Sequence, residues 1–261
     1  MEPAAEKKPF YKWVAVALAL LALLAAYLAF DRIGLAPTSD ADMRADIEKA
    51  LADFKTYQTI KELYPESYEE LIHLIMSDMR QGTDMKEAMI KGAEFTTKLR
   101  RDNAQYYGMA SIEHLRLSLN GQIPQYDYLK KAYGFKACNE LAAHGGVAIA
   151  RLLGPDFLKD HTLTQLMDET TGYFFRTAAE GRQLKLQHEK PTDADWQATR
   201  DYLKSRGMTD AGIKLVNEPA KSLDDPQLCD AIMKFYQTVT TMDNDAAKRV
   251  VPYLAATAAA G

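Results

Sequence analysis

Cysteine is nearly missing from this chain: there are two residues, Cys138 and Cys229, in 261. Two thiols exclude a disulfide-built scaffold and a cysteine-rich metal centre, and allow one internal bridge at most. Proline and glycine are also sparse, at ten and fourteen, and sit mostly singly. That argues against a long disordered segment and against an all-β chain of tight turns. Neither sign of charge dominates. The 32 basic side chains face 36 acidic ones for a formal charge of -4, so no bulk positive field attracts a phosphate backbone, and nucleic acid is not an expected partner.

The local signatures of common enzyme classes are missing as well. There is no Gly-x-Ser-x-Gly elbow, Walker loop, dinucleotide fingerprint, His-Glu-x-x-His or Cys-x-x-Cys. Glu70 and His73 have the Glu-x-x-His spacing of helix-borne di-iron sites, but no second such pair accompanies them. Neither a metal nor any other cofactor is therefore expected. An enzyme whose groups converge only in space would escape this search.

What the chain does have is one long apolar run, WVAVALALLALLAAYLAF, from Trp13 to Phe30. As a helix it would reach roughly 27 Å, close to a hydrocarbon core of about 30 Å. Trp13 and Tyr27 stand near its ends, where amphipathic rings favour headgroups, with Lys7, Lys8 and Lys12 before it and Asp31 and Arg32 after it. A cleaved secretory signal would have a shorter apolar region and a small-x-small exit, which this run lacks. A buried soluble helix would need apolar partners all round. The expectation is an uncleaved anchor with the bilayer as partner through residues 13–30. The lysines place the short start in the cytoplasm and the bulk of the chain outside, which in a bacterium means the inner membrane and the periplasm.

Beyond the IGLAPTSD stretch the apolar positions step by three or four almost without interruption. Met43, Ile47, Leu51, Phe54, Tyr57 and Ile60 read as one helix ended by Pro65. Ser67 with Glu70 reads as a capping box opening the next helix, which Gly82 stops. A helix from Asp84 to about Tyr107 follows, then one capped by Ser111 and broken at NGQIP. Short pieces then end in glycine, and a longer helix covers about Leu163 to Glu180. Thr192 heads another helix, and Asp225 with Pro226 begins the one that holds Cys229. The Ala-rich end reads as frayed.

The expected architecture is all-α, a single amino-terminal transmembrane helix followed by an irregular multi-helix bundle with room for two lobes meeting near Gly145 and Gly146. Residues 1–12 form the cytoplasmic start, 13–30 the anchor, 31–42 a tether and 43–255 the helical extracytoplasmic domain. Cys138 and Cys229 are the candidate disulfide, with two buried thiols as the alternative. Fourteen tyrosines are the most distinctive feature of the composition, and Tyr126, Tyr128 and Tyr133 are the candidate lining of a partner-binding groove, since tyrosine pairs an apolar body with a polar tip. The expected function is that of a non-enzymatic, membrane-anchored adaptor, assembly factor or chaperone meeting other envelope proteins. The alternative is an envelope hydrolase or ligand-binding sensor whose site is assembled from separate helices.

Overall fold

Each run that keeps the three-and-four step packs its stripe inward as a helix. A computed structural model describes residues 39–83, 85–153 and 159–260. Among these the regular structure is entirely helical: α1 Asp40–Leu51, α2 Lys55–Leu63, α3 Pro65–Arg80, α4 Met85–Tyr107, α5 Ile112–Asn120, α6 Ile123–Tyr133, α7 Phe135–His144, α8 Gly146–Leu153, α9 His161–Leu184, α10 Asp193–Ser205, α11 Asp210–Asn217, a 3-10 turn at Pro219–Lys221, α12 Leu228–Val239 and α13 Ala247–Ala260. No helix among the described residues is long and apolar enough to cross a membrane, and the run at 13–30 lies outside them.

Several helix boundaries differ from the sequence reading. The stripe from Met43 to Ile60 is two helices, because Phe54 is extended and the first N–H groups of α2 turn to a partner on α9. Lys55 N and Thr56 N donate to the Asp168 carboxylate at 2.6 and 3.0 Å. Phe54 still packs in the same core, so the apolar spacing runs across a break that it does not reveal. Ser67 and Glu70 form no capping box. Pro65 already opens α3 as a first-turn proline, which leaves both residues inside the helix. Asp225 does not cap α12 directly; its carboxylate accepts from Gln227 N at 2.8 Å in the turn before the helix. Helix α13 runs on to Ala260, with Val250, Val251 and Ala255 fully buried and Ala256, Thr257 and Ala258 exposed.

The helices bury two hydrophobic clusters. The larger gathers α1, α2, α3, the end of α4, α5, the later half of α9, α10, one side of α12 and α13 around Ile60, Leu71, Ile72, Phe175 and Val251. The smaller joins α6, α7, α8, the early half of α9 and α12 around Leu129, Ile149, Leu163 and the half-cystines. Cys138 of α7 and Cys229 of α12 are joined by a disulfide, with Cα atoms 5.7 Å apart. The clusters do not divide at Gly145 and Gly146, since Leu141 and Ile149 on either side share the smaller one. The chain changes cluster between Leu119 and Tyr126, again inside α9 between Met167 and Phe174, and again between Met208 and Leu228, after which α12 contributes to both. Helix α9, 24 residues long, therefore belongs to both, and the seam between the clusters runs along it.

Candidate functional site

Along that seam lies a cavity of about 140 Å³. Helix α4 brings Arg100 and Tyr107 to it, seven residues apart and so on one face. Two turns separate them by about 10.5 Å, room for one ring, and Phe174 of α9 contacts both. The Arg100 guanidinium carbon lies 4.7 Å from the Phe174 centroid, and the Tyr107 ring stacks on Phe174 at 5.1 Å with 12° between planes. Such a cation over a ring face is attracted by its quadrupole, but the contact supplies no negative charge.

The remaining polar wall comes from α5, α6 and α9, with Gln122 in the turn between α5 and α6. Tyr107 donates to Ser118 Oγ of α5 at 2.5 Å. Each side chain is 3% exposed, and two hydroxyls sharing one hydrogen bond leave one O–H proton without a partner. Gln125 of α6 is 5% exposed and lines the cavity, yet its carboxamide makes no hydrogen bond among the described residues. Thr170 and Thr171 of α9 donate to the carbonyls of Leu166 and Met167 at 2.8 and 2.9 Å, so their oxygens face the space only as acceptors. Gly145, at φ +72°, turns the chain so that α8 starts at the cavity edge with Gly146. Leu141, Met167 and Ala258 supply apolar wall.

The electrostatics are one-sided. Among the described residues Arg100 is the only charged side chain in the lining, and no carboxylate faces it there. Burial pulls its pKa below the usual guanidinium value, opposed by the nearby Tyr107, although an arginine remains protonated at neutral pH. Burial also raises Tyr107, to about 12, and drives Tyr126 well above its ordinary value, so both phenols stay neutral. The cavity thus offers a cation, an unpartnered amide and a spare hydroxyl donor.

No protein family, curated protein or solved structure matches this chain. Function must therefore be argued from the site itself.

The tyrosines singled out in the sequence are not brought together on an open groove. Tyr126 is 5% exposed, packs against Tyr236 with centroids 6.0 Å apart and lines the cavity from within. Tyr128 and Tyr133 instead tie the end of α6 to the start of α9, both donating to Asp160, at 2.8 and 2.6 Å to one oxygen. Asp160 also caps α9 by accepting from Leu163 N at 3.0 Å. Burial opposes its charge, but the hydrogen bonds from Tyr133, Leu163 and Tyr128 outweigh that and lower its pKa.

A second polar constellation, Ser111, His114 and Glu180, has the residue types of a hydrolytic triad without its geometry. Ser111 Oγ and Glu180 Oε1 both approach the same ring nitrogen, His114 Nδ1, at 3.3 and 2.7 Å. A working triad places serine and acid on opposite nitrogens. Ser111 is the N-cap of α5, and Glu180 anchors that cap through Ser111 N at 2.9 Å. Among the described residues no cluster of His, Cys, Asp or Glu could hold a metal ion, the Glu70–His73 pair included.

Arg100, Ser118 and Gln125 were not marked by the sequence. In KLRRDN, Arg100 looks like any surface cation, and only the pairing of α4 with α9 turns it toward the seam.

Proposed function

We propose that this chain is a ligand-binding module that holds a small polar molecule in the cavity between its two cores, tethered to a bilayer through residues 13–30. The observation that carries the binding function is Arg100, a cation with no carboxylate partner, in a cavity that also contains the unbonded Gln125 amide. Arg100 is partly exposed, so water reaches the guanidinium in the empty cavity, and a ligand that fills the space exchanges that water for a fixed partner in a setting of lower dielectric. Among the described residues the lining presents no carboxylate, histidine or thiol to a substrate, which favours binding over hydrolysis. The tether is supported by the length and flanks of the apolar run. The adaptor role loses its proposed groove, since Tyr126 is internal and Tyr128 and Tyr133 are bonded to Asp160.

Two measurements test this reading. Membranes from cells expressing the full chain, washed with alkaline carbonate, should retain it; release into the supernatant would remove the tether. Thermal denaturation of the purified chain against a panel of polar compounds should show at least one that raises the midpoint with rising concentration, as a ligand of the folded state must. A panel that leaves the midpoint unmoved would count against binding.

A further inference from the structure

We infer that the cavity selects a small monocarboxylate with an apolar body, its carboxylate against the Arg100 guanidinium and the Gln125 amide. This rests on the binding function proposed above and specifies the ligand class. The carboxylate follows from the donors. A planar guanidinium matches a carboxylate through two parallel N–H···O bonds, and the lining adds the Gln125 amide and the spare proton of the Tyr107–Ser118 pair.

The same wall argues against neighbouring ligand classes. An amino acid would bring an ammonium group, and no carboxylate in the lining receives it. A phosphate dianion would enter with two charges against one cation. An uncharged amide or alcohol of equal size leaves Arg100 without a counter-charge, which makes the site selective by what it fails to satisfy. The apolar body follows from Phe174, Leu141, Met167 and Ala258 in the same wall. Size follows from volume: a cavity of about 150 Å³ holds one benzene ring, so at about 140 Å³ the ligand is of roughly that bulk.

The test is isothermal titration calorimetry of the full chain in detergent and chloride-free buffer. The probes are butyrate, hexanoate and benzoate, their primary amides, norvaline and inorganic phosphate. At least one carboxylate should bind saturably and its amide at least about tenfold more weakly, the scale of one charge-assisted contact. Arg100→Gln should bring that carboxylate down to the level of its amide, and Arg100→Lys should restore part of the difference. Should Arg100→Gln not fold, the carboxylate-to-amide ratio in the unaltered chain decides alone. Equal binding of acid and amide, or binding of phosphate or norvaline in preference to every carboxylate, overturns the inference and leaves the binding function standing. No binding by any of these probes, together with an unmoved melting midpoint across the wider panel, overturns both.

Discussion

At the scale of single residues, a two-pronged charged contact lies away from the cavity. Asp195 accepts from Arg249 at 2.8 and 2.6 Å and also completes the capping box of α10 with Thr192. The Arg249 hydrogen bonds, then those from Thr192, hold its carboxyl well below the ordinary carboxylate value. A lowered folded-state pKa stabilises the fold above the unfolded value of about 4 and is lost as pH falls through the folded one. The melting midpoint should therefore drop as the solution is acidified below about pH 4, and Asp195→Asn should flatten that part of a pH–midpoint curve. An identical acid limb in the variant would show that other carboxylates set it. Asp168 acts in the opposite sense: burial raises its pKa, so its protonation in acid offsets part of the loss. Neither role was legible beforehand. The Thr192 cap was, but Arg249, the partner of Asp195, lies 54 positions beyond it, and spacing carries no trace of so distant a contact.

At the scale of elements, the sequence showed where helices are and was weaker on where they stop. Ser111, Thr192, Gly134 and Gly145 act within their own turns, and the boundaries they mark appear in the structure. The break between α1 and α2 depends on Asp168, 113 residues from Lys55, so local chemistry could not announce it. Helix α2 has no cap of its own. Asp168→Ala should therefore strand two N–H groups and cost about 1 to 2 kcal/mol, read by urea denaturation. Asp168→Asn, which keeps one acceptor oxygen, should lose less. Equal stability of the Ala variant and the parent would mean that solvent replaces the cap. Helix α11 went unread because it is short and none of its residues is buried, which leaves Thr209 as the main local sign of its start.

At the scale of the whole molecule, the all-α class was readable from periodicity, whereas the interleaving of two cores was not. Chain order suggested lobes divided at Gly145–Gly146; packing instead runs α9 through both clusters and brings α12 back to α7. The Cys138–Cys229 disulfide secures that return across a separation of 91 residues. A loop of that length corresponds to about 4 to 5 kcal/mol in the chain-entropy description. The double variant Cys138→Ala, Cys229→Ala should lose stability on that scale in a denaturant titration, and the parent should approach it when fully reduced. A loss below about 1 kcal/mol would mean that the smaller core holds α7 and α12 together unaided.

Ala258 contributes to the cavity wall, so one side of the pocket comes from a helix that follows every other lining segment in the chain. A nascent polypeptide halted around position 245 would already contain the guanidinium, the Tyr107 and Ser118 hydroxyls and the amide, yet lack that side of the wall. Selectivity in the proposed site would in that sense be a late property, completed only when α13 docks.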